Sequence, residues 1–123
     1  MKNILVVGSN GMLGHDLIEV FAEKGYKVVG ATRNDFDITN IQEVESFFEG
    51  KSFDLVINSA AYTQVDKAEE EKELAFLVNE QGAKNLAKVT NKKNIPIVYI
   101  STDYVFDGTN KRQYEVDDKT NPI

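Results

Sequence analysis

Three glycines, Gly8, Gly11 and Gly14, stand directly behind the apolar run Ile4-Leu5-Val6-Val7 and directly ahead of a helical pattern. Glycines at that spacing in a strand–turn–helix unit suit a pyrophosphate. The turn lets the backbone approach the phosphates, and the helix N-terminus supplies N–H donors and positive potential. The plain alternative is a tight turn that holds no ligand. The phosphate loop of nucleoside triphosphatases does not fit, because the motif ends Gly14-His15-Asp16 with no Lys after it. Behind a second apolar run stands Thr32-Arg33, where a dinucleotide site usually carries an acidic residue for the ribose 2′-hydroxyl. An Arg there pairs with a 2′-phosphate instead, which favours NADP(H). NAD(H) stays open through Asp35, and the alternative for Arg33 is an ordinary surface cation. Ser101-Thr102-Asp103 ends the last apolar run, at the carboxyl end of a strand, where open α/β sheets bind their ligands. Read alone, it is a polar strand end.

The elements that must position these residues are legible in the apolar pattern. Ile4–Val7 is a continuous aliphatic, largely β-branched run, as a central parallel strand covered on both faces would be. The next segment places Leu13, Leu17, Val20 and Phe21 on one helical face and Asp16, Glu19 and Glu23 on the other, and Gly25 closes it. His15 reads as a surface or boundary residue. Residues 27–31 form a second strand. A shorter helical pattern follows, with Ile41, Val44, Phe47 and Phe48, and either Asp37 or Thr39 as its cap. Residues 54–58 form a third strand. From Asp66 to about Asn91 a single long helix is expected, with Ala68, Leu74, Leu77, Val78, Leu86 and Val89 as its apolar members. Its Glu69-Glu70-Glu71 run reads as a solvated first turn that suits the helix dipole. Pro96 precedes a fourth strand over 97–100, and the stretch from Thr109 onward is polar and without period. Strands alternating with helices predict a Rossmann-type, doubly wound parallel α/β sheet, and right-handed crossovers suggest the strand order 3-2-1-4.

Composition narrows the function classes. The 123 residues amount to one domain, 41% apolar, with fourteen Lys+Arg against twenty Asp+Glu and no Cys. Cysteine-based zinc and redox chemistry is excluded, and no metal site is expected. A net charge of −6 argues against nucleic-acid binding through a basic face. No apolar run is long enough to span a membrane or to serve as a signal peptide, so a cytoplasmic setting is the default. A phosphorelay receiver would need acidic residues behind the first strand and an Asp ending the third. Gly8-Ser9 and Asn58-Ser59 stand there instead.

Gly8-x-x-Gly11-x-x-Gly14, Phe36-Asp37-Ile38, Asn58-Ser59-Ala60-Ala61, Val65-Asp66-Lys67-Ala68-Glu69 and Ser101-Thr102-Asp103-Tyr104-Val105-Phe106-Asp107-Gly108 occur in one order. Together they resemble the extended short-chain dehydrogenase/reductase family and, within it, the dTDP-4-dehydrorhamnose reductases, along the whole chain. The resemblance implies that Gly8, Asn10, Gly11, Met12 and Leu13 form the pyrophosphate loop. It implies that Asp37 and Ile38 flank the adenine, although without it they read equally as a helix cap and a core residue. It implies that Ala60, Ala61 and Tyr62 lie along the cofactor. Thr102 is similar to the family's catalytic hydroxyl, which would bond the 4-keto oxygen of a nucleotide sugar. Asp103 and Tyr104 are similar to residues lining the sugar-nucleotide pocket. Asn79 matches an Asn that supports the active site, with a helix-surface amide as the alternative.

One departure matters. The family's catalytic Tyr-x-x-x-Lys occurs nowhere in these residues. The expectation is therefore an incomplete NAD(P)-binding Rossmann domain over residues 1–123, cut before that motif and lacking the C-terminal substrate region. It would be the cofactor-binding part of a reductase and inactive alone. The alternative is a non-catalytic dinucleotide-binding module similar to the regulatory β subunit of methionine adenosyltransferase. The fourth strand would then be an edge, with Ile97, Val98 and Ile100 less covered, so homo-oligomers or a self-associating chain are expected.

Overall fold

A computed structural model describes residues 2–122. Four parallel strands form one sheet: β1 (Asn3–Val7), β2 (Lys27–Ala31), β3 (Leu55–Asn58) and β4 (Ile97–Tyr99). β1 takes the centre because its side chains are apolar on both faces and Ile4 to Val7 are all buried. It pairs with β2 from Asn3↔Lys27 to Val7↔Ala31, and with β3 from Ile4↔Leu55 to Val7↔Asn58. β3 in turn pairs with β4 from Val56↔Ile97 to Asn58↔Tyr99.

The period of two along β1 divides the interior into two layers. Leu5 and Val7 face a large cluster with Val44 and Phe48 of α2 (Ile41–Phe48), and with Leu86 and Val89 of α5 (Ala83–Lys92). Ile4 and Val6 face a smaller cluster with Ile57, completed by Leu17, Ile18 and Phe21 of α1 (Met12–Glu23). The doubly wound parallel class is as expected, but the strand order is β2-β1-β3-β4 rather than 3-2-1-4. Crossover handedness supplies the reason. A right-handed connection that keeps moving in one direction keeps its helices on one face, and reversing direction puts the next helix on the other face. Because α1 and α2 cover opposite faces, the chain must turn back at β2 and place β3 on the far side of β1. The point where the winding reverses therefore lies between the ends of β1 and β3.

The single helix expected over 66–91 is broken. α3 (Val65–Glu70) and α4 (Lys72–Phe76) are separated at Glu71, whose φ of −108° and ψ of 45° are not helical. A π-helical turn over Leu77–Gly82 then leads into α5. Neither α3 nor α4 has a buried residue, so little packing holds those acidic turns in line. α2 is capped by neither Asp37 nor Thr39. Asn40 is the cap, its side chain accepting from the Gln42 amide. On β4, Val98 is exposed, as is Ile100 beyond it, while Ile97 packs against the large cluster.

Candidate functional site: a glycine-turn cradle at the ends of β1 and β3

The turn after β1 is built by close contact. Gly8 has φ +80°, and a Cβ on it would lie 2.7 Å from the Ala60 amide nitrogen. Only glycine meets both demands. Ser59 anchors the facing segment, its amide and its hydroxyl both donating to the Val7 carbonyl, at 3.0 and 2.7 Å. Gly14 lets α1, which packs on the sheet, start close against the turn: a Cβ there would lie 2.2 Å from the Gly8 carbonyl oxygen. Gly11 is the N-terminal flanking residue of α1, and among the described residues no side chain caps that helix. The first-turn N–H groups, those of Met12 and Leu13 among them, have no intrahelical partner. With Asn10, Met12 and Leu13 exposed around them, these donors suit an anion. The contrast with α2, whose end is closed by Asn40, is direct.

After β2, the polar residues bond to one another. Thr32 donates from its amide and hydroxyl to Asp35, at 2.8 and 3.0 Å. The Thr32 amide and hydroxyl hold the Asp35 carboxyl below its ordinary pKa. Arg33, exposed, reaches Asp37 at 3.2 Å. Asp37 also accepts from the Thr39 amide and hydroxyl, at 2.9 and 2.7 Å. Partial burial pushes the Asp37 carboxyl up, but the Thr39 donors and the Arg33 guanidinium outweigh it and leave it below its ordinary value. Asp37 thus shapes its own loop. The Ile38 side chain is buried in the large cluster, as its core reading has it.

Asn79, in the π-helical turn, clamps the segment after β3. It accepts from the Tyr62 amide at 2.8 Å and donates to the Tyr62 carbonyl at 3.1 Å. Its own carbonyl accepts from the Tyr99 hydroxyl at 3.1 Å, which ties in β4. π-Helical turns recur at functional sites. Here the turn presents one residue's side chain and main chain to two strand ends. The Tyr62 hydroxyl donates to Glu71, and that bond pushes its pKa up to about 12, so it stays a neutral donor.

Thr102, Asp103 and Tyr104 form a separate, exposed group. The Thr102 hydroxyl accepts from the Tyr104 amide at 3.2 Å and opens a short 3-10 turn over Asp103–Val105. The stretch that follows lacks periodicity but not order. Asp107 accepts from Thr109, Tyr114 and Asn121. The Asn121 amide first, and then the Thr109 donors, hold its carboxyl far below the carboxylate range. Phe106 stacks on Tyr114 with centroids 4.2 Å apart. His15 is exposed beside Asp16.

The structure therefore brings Gly8 to Ala60, Arg33 to Asp37, and Tyr62 to Asn79, and the Thr102 group follows β4, whose end pairs with that of β3. Motif reading includes Asn58 without giving it a role, and passes over Asn85; both are buried amides. Asn58 ends an apolar strand and accepts from the Ala60 amide at 3.1 Å. Asn85 donates to the Ile38 carbonyl at 2.9 Å. The available signal was a polar residue on an apolar stripe: Asn58 after Leu55-Val56-Ile57, and Asn85 beside Leu86. Among the described residues no group of His, Cys, Asp or Glu is placed to hold a metal ion, and no helix is long and apolar enough to cross a membrane.

Comparison with known proteins agrees with this geometry. A dTDP-4-dehydrorhamnose reductase of Mycolicibacterium smegmatis is 44% identical over 99% of this chain and 37% of its own length. A solved dTDP-4-dehydrorhamnose reductase of Clostridium acetobutylicum superposes with a TM-score of 0.93 at 43% identity, covering 98% of this chain and 43% of that one. The Bacillus anthracis dTDP-4-dehydrorhamnose reductase, solved in complex with NADP, gives a TM-score of 0.94 at 35% identity, over 99% of this chain and 44% of that one. The chain spans about two-fifths of the length of the relatives it matches. The family model described as the RmlD substrate binding domain matches residues 1–123, and the chain belongs to that family.

Proposed function

We propose that residues 1–123 form the dinucleotide-binding domain of an NADP(H)-dependent reductase acting on the 4-keto group of a nucleotide sugar. The observation that carries this reading is the Gly8–Ala60 contact beside the uncapped start of α1. It lies at the winding reversal, where open α/β sheets bind ligands. A Cβ at Gly8 would collide with the Ala60 backbone, so the turn keeps this close approach only with glycine, and the free N–H groups at the start of α1 lie beside it.

In this reading Gly8, Asn10, Gly11, Met12 and Leu13 hold the pyrophosphate through main-chain donors. Arg33 pairs with the 2′-phosphate, turning from Asp37 to a doubly charged partner. Asp37 and Ile38 border the adenine, and Ala60, Ala61 and Tyr62 lie along the nicotinamide half. A bound nicotinamide supplies hydride. Thr102 donates a hydrogen bond to the keto oxygen, where negative charge develops, and Asp103 and Tyr104 line the sugar-nucleotide pocket. A second reading is a non-catalytic dinucleotide-binding module.

Calorimetric titration tests the proposal. NADPH is expected to bind saturably and more tightly than NADH, and Arg33→Asp to remove that preference, a loss of about tenfold or more in NADPH affinity. Equal affinities for both cofactors would overturn the 2′-phosphate assignment. Cofactor binding with no sugar turnover by the whole protein that contains these residues would favour the second reading.

A further inference from the structure

The loop over residues 36–39 is held from below by α5 as well as by its own hydrogen bonds. Asn85 is 2% exposed and lies next to Leu86, which is fully buried. A buried amide is costly unless its donors and acceptor are used. Here the Asn85 side-chain nitrogen donates to the Ile38 carbonyl at 2.9 Å, across a separation of 47 residues. Its oxygen accepts from the Gln81 amide at 2.7 Å, so the amide cannot turn over without losing both bonds. One turn away Gly82 provides a notch for the Ile38 side chain, where any Cβ would lie 2.6 Å from the Ile38 Cδ1. The other side of the loop is fixed by Asp37 to Thr39 and Arg33, and by the Asp37 amide donating to Glu43 at 2.8 Å. Asp37 and Ile38 are thus clamped between α2 and α5, and Asn85 supplies the one side-chain hydrogen bond from α5 to the loop's main chain.

We propose that Asn85, oriented by Gln81, is a positioning residue for the adenine end of the dinucleotide site. It touches no ligand. It sets the height of the Ile38 main chain, and so the place of Asp37 and Arg33. This rests on the dinucleotide-binding reading above, and the test keeps the two apart.

Three proteins are compared: wild type, Asn85→Asp and Gln81→Ala. Asn85→Asp is nearly isosteric and replaces the donor with an acceptor. Gln81→Ala alters a half-buried residue and is expected to fold. Amide hydrogen exchange over residues 36–40 reads the loop without any cofactor. It is expected to speed up about tenfold or more in Asn85→Asp and less in Gln81→Ala, while β1 stays protected. Calorimetric titration with NADPH and with 2′,5′-ADP should show both ligands weakened by the same factor, about tenfold in Asn85→Asp. A general loss of structure would instead lower β1 protection along with the loop's. Unchanged exchange over residues 36–40 in folded variants would overturn the clamp. Faster exchange with unchanged affinity for both ligands would overturn the positioning role. Failure of wild type to bind either ligand would overturn the dinucleotide reading and this role with it, while the exchange data would still decide the clamp.

Discussion

The chain leaves β1 and β4 in opposite ways. After β1, Gly8 presses against Ala60, Gly14 presses against the Gly8 carbonyl, and Ser59 ties the neighbouring strand to Val7. Each contact joins residues about fifty positions apart or brings main chain to main chain, and no side chain could be added without pushing something aside. After β4, the chain enters an exposed polar stretch in which Thr102 bonds to Asp103 and Tyr104, and Asp107 collects Thr109, Tyr114 and Asn121. Every one of those partners lies within fourteen residues. One end is shaped by the packing of the sheet, the other by local hydrogen bonds. A site for an extended, invariant ligand benefits from the first kind of construction, because its donors are fixed before the ligand arrives. The second kind can change sequence without disturbing the sheet.

The sharpest way to break this contrast is Gly14→Ala. Its methyl would sit 2.2 Å from the Gly8 carbonyl oxygen, so α1 must move off the turn. Overpacking of this kind costs about 1–3 kcal/mol. Thermal unfolding should show that loss, and NADPH titration should show binding reduced beyond about a hundredfold. Wild-type affinity in this variant would mean that the cradle is not the binding site.

A subtler effect is expected from acid. The Asp107 carboxyl is held below its unfolded pKa of about 4 by the Asn121 and Thr109 donors. Its contribution is therefore complete above that value and is lost as pH falls toward the folded pKa. Proton NMR of the stacked Phe106 and Tyr114 rings should report their release at low pH, and Asp107→Asn should show it already at neutral pH. The β1 core should keep its protection throughout. Simultaneous loss of both regions would show that the tail is not an independent unit.

The smallest effect belongs to Thr102→Ala. Thr102 is exposed and bonds only within its own turn, so stability should stay within about 0.5 kcal/mol and NADPH affinity within about twofold. A large change in either, by melting curve or titration, would show that the turn after β4 supports the sheet or the cradle directly.

Much of the fold was readable because it follows local rules. The unbroken apolar run Ile4–Val7 and the glycine turn placed the central strand and the first helix, and Leu86 and Val89 marked the buried stripe of α5. The misplaced features were those without a local signature. The long helix broke at Glu71 because its acidic turns bury nothing and its carboxylate is claimed by Tyr62, which lies outside the helix. Asn40 capped α2 although Asp37 and Thr39 are equally good cap types, because those two are occupied with each other. In the site, Gly8, Arg33, Asp37 and Asn79 carried visible signals. Asn58 stood within a quoted motif but without a role, and Asn85 showed only as a polar interruption of an apolar stripe.

Residue type and spacing alone determined the strand–turn–helix unit, the parallel α/β class and the glycines that no larger residue can replace. These depend on backbone sterics and on which face of a short segment is apolar, and both are properties of neighbours in the chain. Tertiary structure decided the strand order, and with it the crevice between β1 and β3. It also decided that Asn79 clamps Tyr62 and that Asn85 holds Ile38. Handedness of the crossovers acts on which face each helix covers, and a buried amide finds its partner only after distant segments have packed together.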